Sequence, residues 1–387
     1  MDNLLLLQFY HLHTAKKMSP DWKRSQVWQR VIPDLAGRNR YLMHLLLALG
    51  GIHMTIERPR HGSGEENNWS EIVDLRVVMG HHQKGLQGFR EDVAQISHSN
   101  AEAVYAGSLL LAGFIFASLQ VSELNKTDIN ADSVSVPYYP TLSKQSRQPL
   151  NRPRLSWLHL IRGVSTVIQD QWPTLKASCL RPMVLYFHGD EYWKDLPFAS
   201  SLSRLSQCSP RLLVFAQGAS QAITDLRTSW TTTRLASSNG SGFIDFPTCL
   251  PSTTPVAAID ELSRNIDILE MYYSRIIAVL HCSVSQHGSP DISDIQANFE
   301  EAAVLSWPTF ISSDFLSFLE IGDQMDLFRG HSWAILVHFY VINTLVGCWY
   351  LDGSFEGEIL KIHESVSSSC NAQLGQLTMW PVKVVSS

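Results

Sequence analysis

LSRNIDILEMYYSRIIAVL, residues 262–280, is the stretch whose reading decides the fold class. Its apolar residues Leu262, Ile266, Leu269, Tyr273, Ile276 and Leu280 recur every three or four positions, so all six share one face of a helix. Arg264, Asp267, Glu270 and Arg275 fall elsewhere on the circumference. Thr254 and Pro255 just upstream supply an N-cap residue and a proline at the first helical position. Leu86, Phe89, Val93 and Ile96 repeat the same periodicity, and YLMHLLLALGGIHM (41–54) is apolar on nearly every side, as a central helix must be.

Proline placement agrees. Residues 60–136 and 309–380 contain none, which leaves room for several long helices. Prolines and Ser/Thr/Gly runs gather instead at 58–68, about 123–153, 229–255 and 283–290, which read as loops. Alternating strand patterns bounded by turn dipeptides are nearly absent, and no repeat of fixed period occurs. The expectation is an all-α fold: one domain over 1–387, a bundle or array of about ten to thirteen helices, with long loops near 123–153 and 229–255.

Composition narrows the function classes. Lys and Arg number 30 against 36 Asp and Glu, a net charge of −6, which argues against a stand-alone nucleic-acid binder. Six scattered cysteines form no CxxC pair, so zinc-finger and cluster spacings are absent and reduced core thiols are expected. P-loop, GxGxxG, GxSxG and HExxH motifs are also absent. His188, Asp190 and Glu191 in HGDE faintly resemble a metal pair, but no third ligand is identifiable and loop polarity explains them. His81 and His82 are adjacent and point about 100° apart on a helix, so they cannot share a metal. The expectation is no metal, no cofactor and no catalytic residue.

Two segments resemble membrane spans, 103–122 and 331–351, neither containing Asp, Glu, Lys or Arg in its core. His331, His338 and Asn343 are costly in lipid, neither segment has a clear basic flank, and the mean hydropathy is −0.03. Buried central helices are the better reading, so no membrane span is expected. The N-terminus lacks the basic start and cleavage site of a signal peptide and reads as a helix. The sequons at Asn68, Asn125 and Asn239 are then chance matches.

Four segments in order resemble the regulatory domain of fungal-specific transcription factors, and within that family the sterol-uptake-control type. The first is LLLLQFYHLHTAKKM with VWQRVIPDLAGRNRYLMHLLLALGGIHM; the second is MGHHQKGLQGFREDVAQIS with AVYAGSLLLAGFIFASL. The third is WLHLIRGVSTVIQDQW, and the fourth is WAILVHFYVINTLVGCWYLDGSFEGEILKIHESV, closing near MWPVKVV. The resemblance covers most of 3–384. It implies an all-α bundle whose sterol-sensing members hold a small apolar ligand among the C-terminal helices. Two departures stand out: the family's binuclear zinc cluster is missing, and TLKASCLRPM lacks the Gly-Pro common after the third motif.

Trp333, His338, Phe339, Asn343, Trp349 and Trp380 are the candidate ligand-binding residues, aromatic rings with a few polar groups as in an apolar pocket. Ordinary core packing or a dimer face explains the same residues. The leading expectation is a non-catalytic, transcription-regulator-like protein. It would be controlled by an apolar small molecule, a protein partner or homodimer, or both, without direct nucleic-acid binding by this chain. The family implies a nuclear location, with the cytoplasm left open. The alternatives are a biosynthetic protein that folds an apolar intermediate inside the bundle, and a membrane protein.

Overall fold

The computed structural model describes residues 3–57, 74–129, 153–184, 209–238, 255–282, 292–320, 327–368 and 372–387. HGDE, the segments 58–68 and 283–290, and the sequons at Asn68 and Asn239 lie outside the described residues. Among the described residues there are no strands, and thirteen α-helices have seven or more residues, in agreement with the all-α reading. The fold divides into two compact units. Unit 1 comprises Met1–Val184 with Cys348–Gly357; unit 2 comprises Leu185–Gly347 with Glu358–Ser387.

Unit 1 is organised around one apolar helix. Its elements are α1 (Asn3–Phe9), α2 (Trp22–Gln26), α3 (Ile32–Arg38), α4 (Arg40–Glu57), α5 (Leu75–Ala94), α6 (Ala101–Ile129), α7 (Ser156–Gln169), α8 (Trp172–Lys176) and α9 (Arg181–Val184). Asp21 starts α2 by accepting the Arg24 amide at 2.8 Å, and Asp74 starts α5 by accepting the Arg76 amide at 2.8 Å. Helix α4 buries twelve of its eighteen residues and packs on α1, α3, α5 and α6, the central role its composition predicts.

The seam between α4 and α5 differs from expectation. Leu86, Phe89, Val93 and Ile96 are half-buried, whereas Val78, His81 and Gly85 form the buried line of α5. The reason is close approach: a Cβ on Gly85 would come 2.6 Å from Leu45 Cδ2 and 3.0 Å from the Leu45 nitrogen. The missing side chain draws the two backbones together along that line, and the larger apolar residues flank it.

Helix α6 is the one described helix long and apolar enough by itself to cross a membrane, and 89% of its most apolar window is buried inside the fold. It runs on to Ile129, so 123–129, the start of the expected loop, is helical, and 130–152 lie outside the described residues. SELNKTDI (122–129) holds neither proline nor glycine, and its Glu, Leu and Lys extend a helix already under way.

Cys348–Gly357 returns to unit 1 from far along the sequence. Gly353 makes the turn at φ +75°, in the left-handed region that favours glycine. The Ser354 hydroxyl lies 3.0 Å from both the Phe116 and the Tyr350 carbonyl oxygens and shares one proton between them. Phe355 meets Phe116 at 5.8 Å and Trp157 edge-on at 5.2 Å between ring centroids, and Phe116 meets Trp157 at 5.3 Å.

Unit 2 contains α10 (Pro210–Ser238), α11 (Pro255–Cys282), α12 (Ile292–Glu300), α13 (Trp307–Phe310), α14 (Ser313–Glu320), α15 (Leu327–Thr344), α16 (Glu356–Ser367, whose first two residues belong to unit 1) and α17 (Ala372–Val385). Helix α11 starts at Pro255, and its six periodic residues are at most 2% exposed, as the spacing predicts. Helix α15 is buried from Phe328 to Thr344 and packs on α11 and α17. It ends at Thr344, so 331–351 is not one continuous helix.

The expected loop over 229–255 is corrected for its first ten residues, because α10 continues to Ser238; 239–254 lie outside the described residues. The Thr231, Thr232 and Thr233 hydroxyls donate to the carbonyls of Arg227, Thr228 and Ser229, four residues back, at 2.7–2.9 Å. Trp230 is buried and donates Nε1–H to Ser263 Oγ at 3.1 Å. Local back-bonding and one buried anchor override the weak helix propensity of a threonine run.

Between α12 and α13 the chain winds into a π-helical turn, Glu301–Ser306, and Glu301 is 1% exposed. Arg275 Nη2 on α11 reaches its Oε1 at 3.0 Å. Removing the cation strands a buried carboxylate, so Arg275→Met is expected to destabilise unit 2 by about 3–5 kcal/mol. Adding Glu301→Leu should recover most of the loss. Urea unfolding of the wild type, both singles and the double closes the cycle; additive losses would refute the coupling.

Candidate functional site

The six candidate residues fall into separate places. His338 and Trp380 come together in unit 2, between α15 and α17. The His338 ring is fully buried, and its Nδ1 lies 2.6 Å from the Ala334 carbonyl oxygen. A carbonyl only accepts, so Nδ1 carries the proton and Nε2 is a bare acceptor. Among the described residues, Nε2 is buried without a hydrogen-bond partner. Burial lowers the imidazole to about 4, outweighing the hydrogen bond to Ala334, and keeps it neutral.

Three aromatic rings accompany it. Trp380 lies nearly parallel to His338 at 5.7 Å, Tyr273 is 5.7 Å and Phe215 5.8 Å from Trp380, and Phe215 meets Tyr273 edge-on at 5.0 Å. The Tyr273 hydroxyl is already engaged, donating to the His338 carbonyl at 2.8 Å. The Trp380 indole nitrogen presses on α10 at Gly218, where an added Cβ would strike it. Gly218 and Phe215 carry no motif that singles them out in the sequence. Tyr273 is legible only as a member of the apolar face of α11.

Phe339 and Asn343 form a second cluster, one turn apart on α15. Phe339 stacks on Trp307 at 4.8 Å and 15°, and Asn343 Oδ1 accepts the Trp307 Nε1–H at 3.0 Å. Asn343 Nδ2 has no hydrogen-bond partner among the described residues. Trp333 is 5% exposed with its Nε1 unpartnered. Trp349 belongs to unit 1, carried there by the return segment, so the structure does not group it with the other candidates.

In unit 1, Trp349 stacks on His53 at 3.9 Å. His53 Nε2 faces Glu57 Oε1 at 3.3 Å, and Lys17 Nζ holds the same oxygen at 3.1 Å. The carboxylate accepts, so Nε2 carries the proton and Nδ1 accepts the Thr14 hydroxyl at 3.0 Å. Burial raises Glu57, yet Lys17 and His53 outweigh it and its carboxyl is lowered; burial dominates at His53, which drops to about 4.

Other described histidines meet rings or hydrogen-bond partners. His81 pairs with His44 through their Nδ1 atoms at 2.9 Å, and His82 stacks on Phe114 at 4.1 Å. In unit 2, His331 Nδ1 donates to the Leu327 carbonyl at 2.8 Å, so Nε2 accepts the Ser229 hydroxyl at 3.1 Å. That Ser–His pair is 4% and 2% exposed and closed to substrate. Among the described residues, no group of three or more His, Cys, Asp or Glu is placed to hold a metal ion.

Residues 5–171 match the family model described as fungal specific transcription factor domain. Sterol uptake control protein 2 of Saccharomyces cerevisiae is 28% identical over 181 residues, 46% of this chain and 16% of that protein. The protein of the same name from Candida albicans is 25% identical over 154 residues, 40% of this chain and 17% of its own length. A Zn(2)-C6 fungal-type transcription factor of Gibberella zeae is 24% identical over 190 residues, 48% and 34% of the two chains. The chain thus spans about a sixth of the length of the first two and a third of the last. No solved structure matches.

The names of these relatives are those of two sterol uptake control proteins and a transcription factor. The family match falls wholly within unit 1 and takes in the first two motifs and nearly all of the third. Over residues 5–171, this chain is similar to the fungal specific transcription factor domain, the family whose motifs its sequence resembles.

Proposed function

We propose that this chain regulates transcription in the nucleus under the control of an apolar small molecule. Unit 1 supplies the family's regulatory scaffold, and the core of unit 2 around α15 holds the ligand. The match over residues 5–171 is the observation that carries the regulatory part. The uncharged, ring-lined surroundings of His338 support an apolar occupant, and the two sterol uptake control proteins among the relatives suggest the sterol class. DNA is reached through a different protein that brings the reading module. Ligand control then requires tighter binding to one of two helix arrangements.

The test is a reporter strain in which the full chain is fused to a heterologous DNA-binding module. Reporter output is expected to change severalfold between sterol-replete and sterol-depleted cells. Output that is flat in both conditions, and equal to that of the module alone, overturns the reading. Retarded migration of promoter DNA by the lone protein would contradict the need for a partner. Turnover of an apolar substrate by the purified chain would favour a biosynthetic role.

A further inference from the structure

Resting on the reading that a different protein brings the DNA-reading module, we infer that this partner docks an acidic segment with apolar side chains on unit 1. Its seat is the exposed face built by Leu12, Lys16, Trp22, Lys23 and Arg30.

The stretch is set apart by charge. Residues 3–33 hold five Lys and Arg against one acid, Asp21, in a chain whose net charge is −6. The fold then sorts their roles. Leu6, Tyr10, Met18 and Trp28 enter the core, at most 4% exposed, whereas Trp22 is 69% and Leu12 50% exposed. Arg24 is buried, and Lys17 is held by Glu57 at 3.1 Å. Asp21 is engaged at the start of α2, where its carboxylate accepts the Arg24 amide. Lys16, Lys23 and Arg30 remain as exposed cations, and none of the three forms an ion pair among the described residues.

The five residues belong to one region. A π-helical turn, Val27–Val31, joins α2 to α3, so the chain is helical from Trp22 to Arg38, with Trp22, Lys23 and Arg30 on its exposed side. Lys23 Nζ lies 5.9 Å from the centre of the Trp22 ring. The short turn Ala15–Lys17 packs against α2, and Leu12 precedes Lys16 by about one helical turn.

Charge and shape together select the occupant. Three exposed cations are few beside the roughly 6–10 phosphate contacts of a strong DNA binder, and Leu12 gains nothing from a phosphate. Lipid affinity scales with the apolar area that can be inserted, and the apolar side of the N-terminal helices is spent inside the fold at Leu6, Tyr10 and Met18. A peptide segment uses all five residues at once. Its carboxylates meet Lys16, Lys23 and Arg30, and its apolar side chains cover Leu12 and the Trp22 ring, the kind of residue that anchors interfaces.

The test uses the purified full chain and a short fluorescein-labelled synthetic peptide in which Asp and Glu surround one Phe and one Leu. Anisotropy is expected to show saturable binding that weakens as salt rises. Changing the peptide's Phe and Leu to Ser, or its acids to Asn and Gln, should weaken binding about tenfold. Trp22→Ala should cost about tenfold or more, and Lys16→Glu or Lys23→Glu about twofold to fivefold at low salt, with urea midpoints unchanged at these exposed positions. No binding of the acidic apolar peptide, equal binding of its Ser version, or binding indifferent to all three substitutions overturns the inference. Tighter, Trp22-dependent binding to phosphatidylserine vesicles or to duplex DNA overturns it as well. The sterol response of the reporter strain does not pass through this face. It therefore survives those failures, and its own loss overturns the earlier reading whatever the peptide does.

Discussion

A chain ending at Val184 is expected to remain unfolded, although it contains every residue of the family match. The reason lies in what Cys348–Gly357 contributes. Trp349, Tyr350, Leu351 and Phe355 are each at most 6% exposed, and they pack on His53, Phe116 and Trp157. Burying side chains of this size stabilises by roughly 1.5–3 kcal/mol each, about 6–12 kcal/mol together as an upper estimate. A domain's whole net stability is about 5–15 kcal/mol, so losing the segment removes most of it. Phe116 and Trp157 would also be left facing water. Circular dichroism and urea titration of residues 1–184 should show no cooperative transition. Joining Cys348–Gly357 to Val184 through a flexible Gly/Ser linker should restore one. Cooperative unfolding of the bare 1–184 fragment, with a fixed near-ultraviolet signal, would refute the claim.

The second large effect is acid unfolding above the range where carboxylates protonate. Burial lowers His53, His82 and His338 from 6.5 to about 4, and in each it is the leading cause. In the unfolded chain these imidazoles take protons near pH 6.5. The folded state resists doing so, so the unfolded state binds more protons as the pH falls. Their neutral forms therefore leave stability intact above about pH 6.5, and it is lost progressively between about 6.5 and 4. Each costs roughly 3 kcal/mol once the pH is below about 4, with two of the three in unit 1. The pair of His44 and His81 adds to the loss, since its hydrogen bond needs at least one bare nitrogen.

Urea midpoints measured from pH 7 to pH 4 should fall steeply below 6.5, and His82→Phe, which keeps a ring against Phe114, should flatten the slope. Midpoints constant down to pH 5 would sink the prediction. The same titration tests a further proposal, that the two units unfold together as a single domain over 1–387. Coincident transitions reported from Trp349 and Trp380 support it, and two separated steps would divide the domain.

Much of the site escaped the sequence for a reason visible in particular residues. His338, Trp380, Phe339 and Asn343 can be picked out as aromatic and polar residues of the last third. Nothing in their spacing says that His338 joins Trp380 while Phe339 and Asn343 join Trp307. That division follows from which helix faces each side of α15. Gly218 and Gly85 were silent, because the role of a missing side chain depends on what approaches it. Trp349 belongs to unit 1, and a position eleven residues after His338 gives no warning that the chain has crossed into another unit.

Local chemistry decided the rest without help. The stepping of Leu262 to Leu280, the proline at 255, the unbroken apolar run 41–54 and the proline-free spans make helices whatever surrounds them, since their period and backbone freedom are properties of neighbouring residues. The family likeness of the first three motifs is of the same kind. Long-range facts were decided only by the tertiary structure: the return of Cys348–Gly357 to unit 1, the shift of the α5 seam to Gly85, and the bare acceptor at His338. Each depends on contacts between residues far apart in the chain, whose energies no local pattern records.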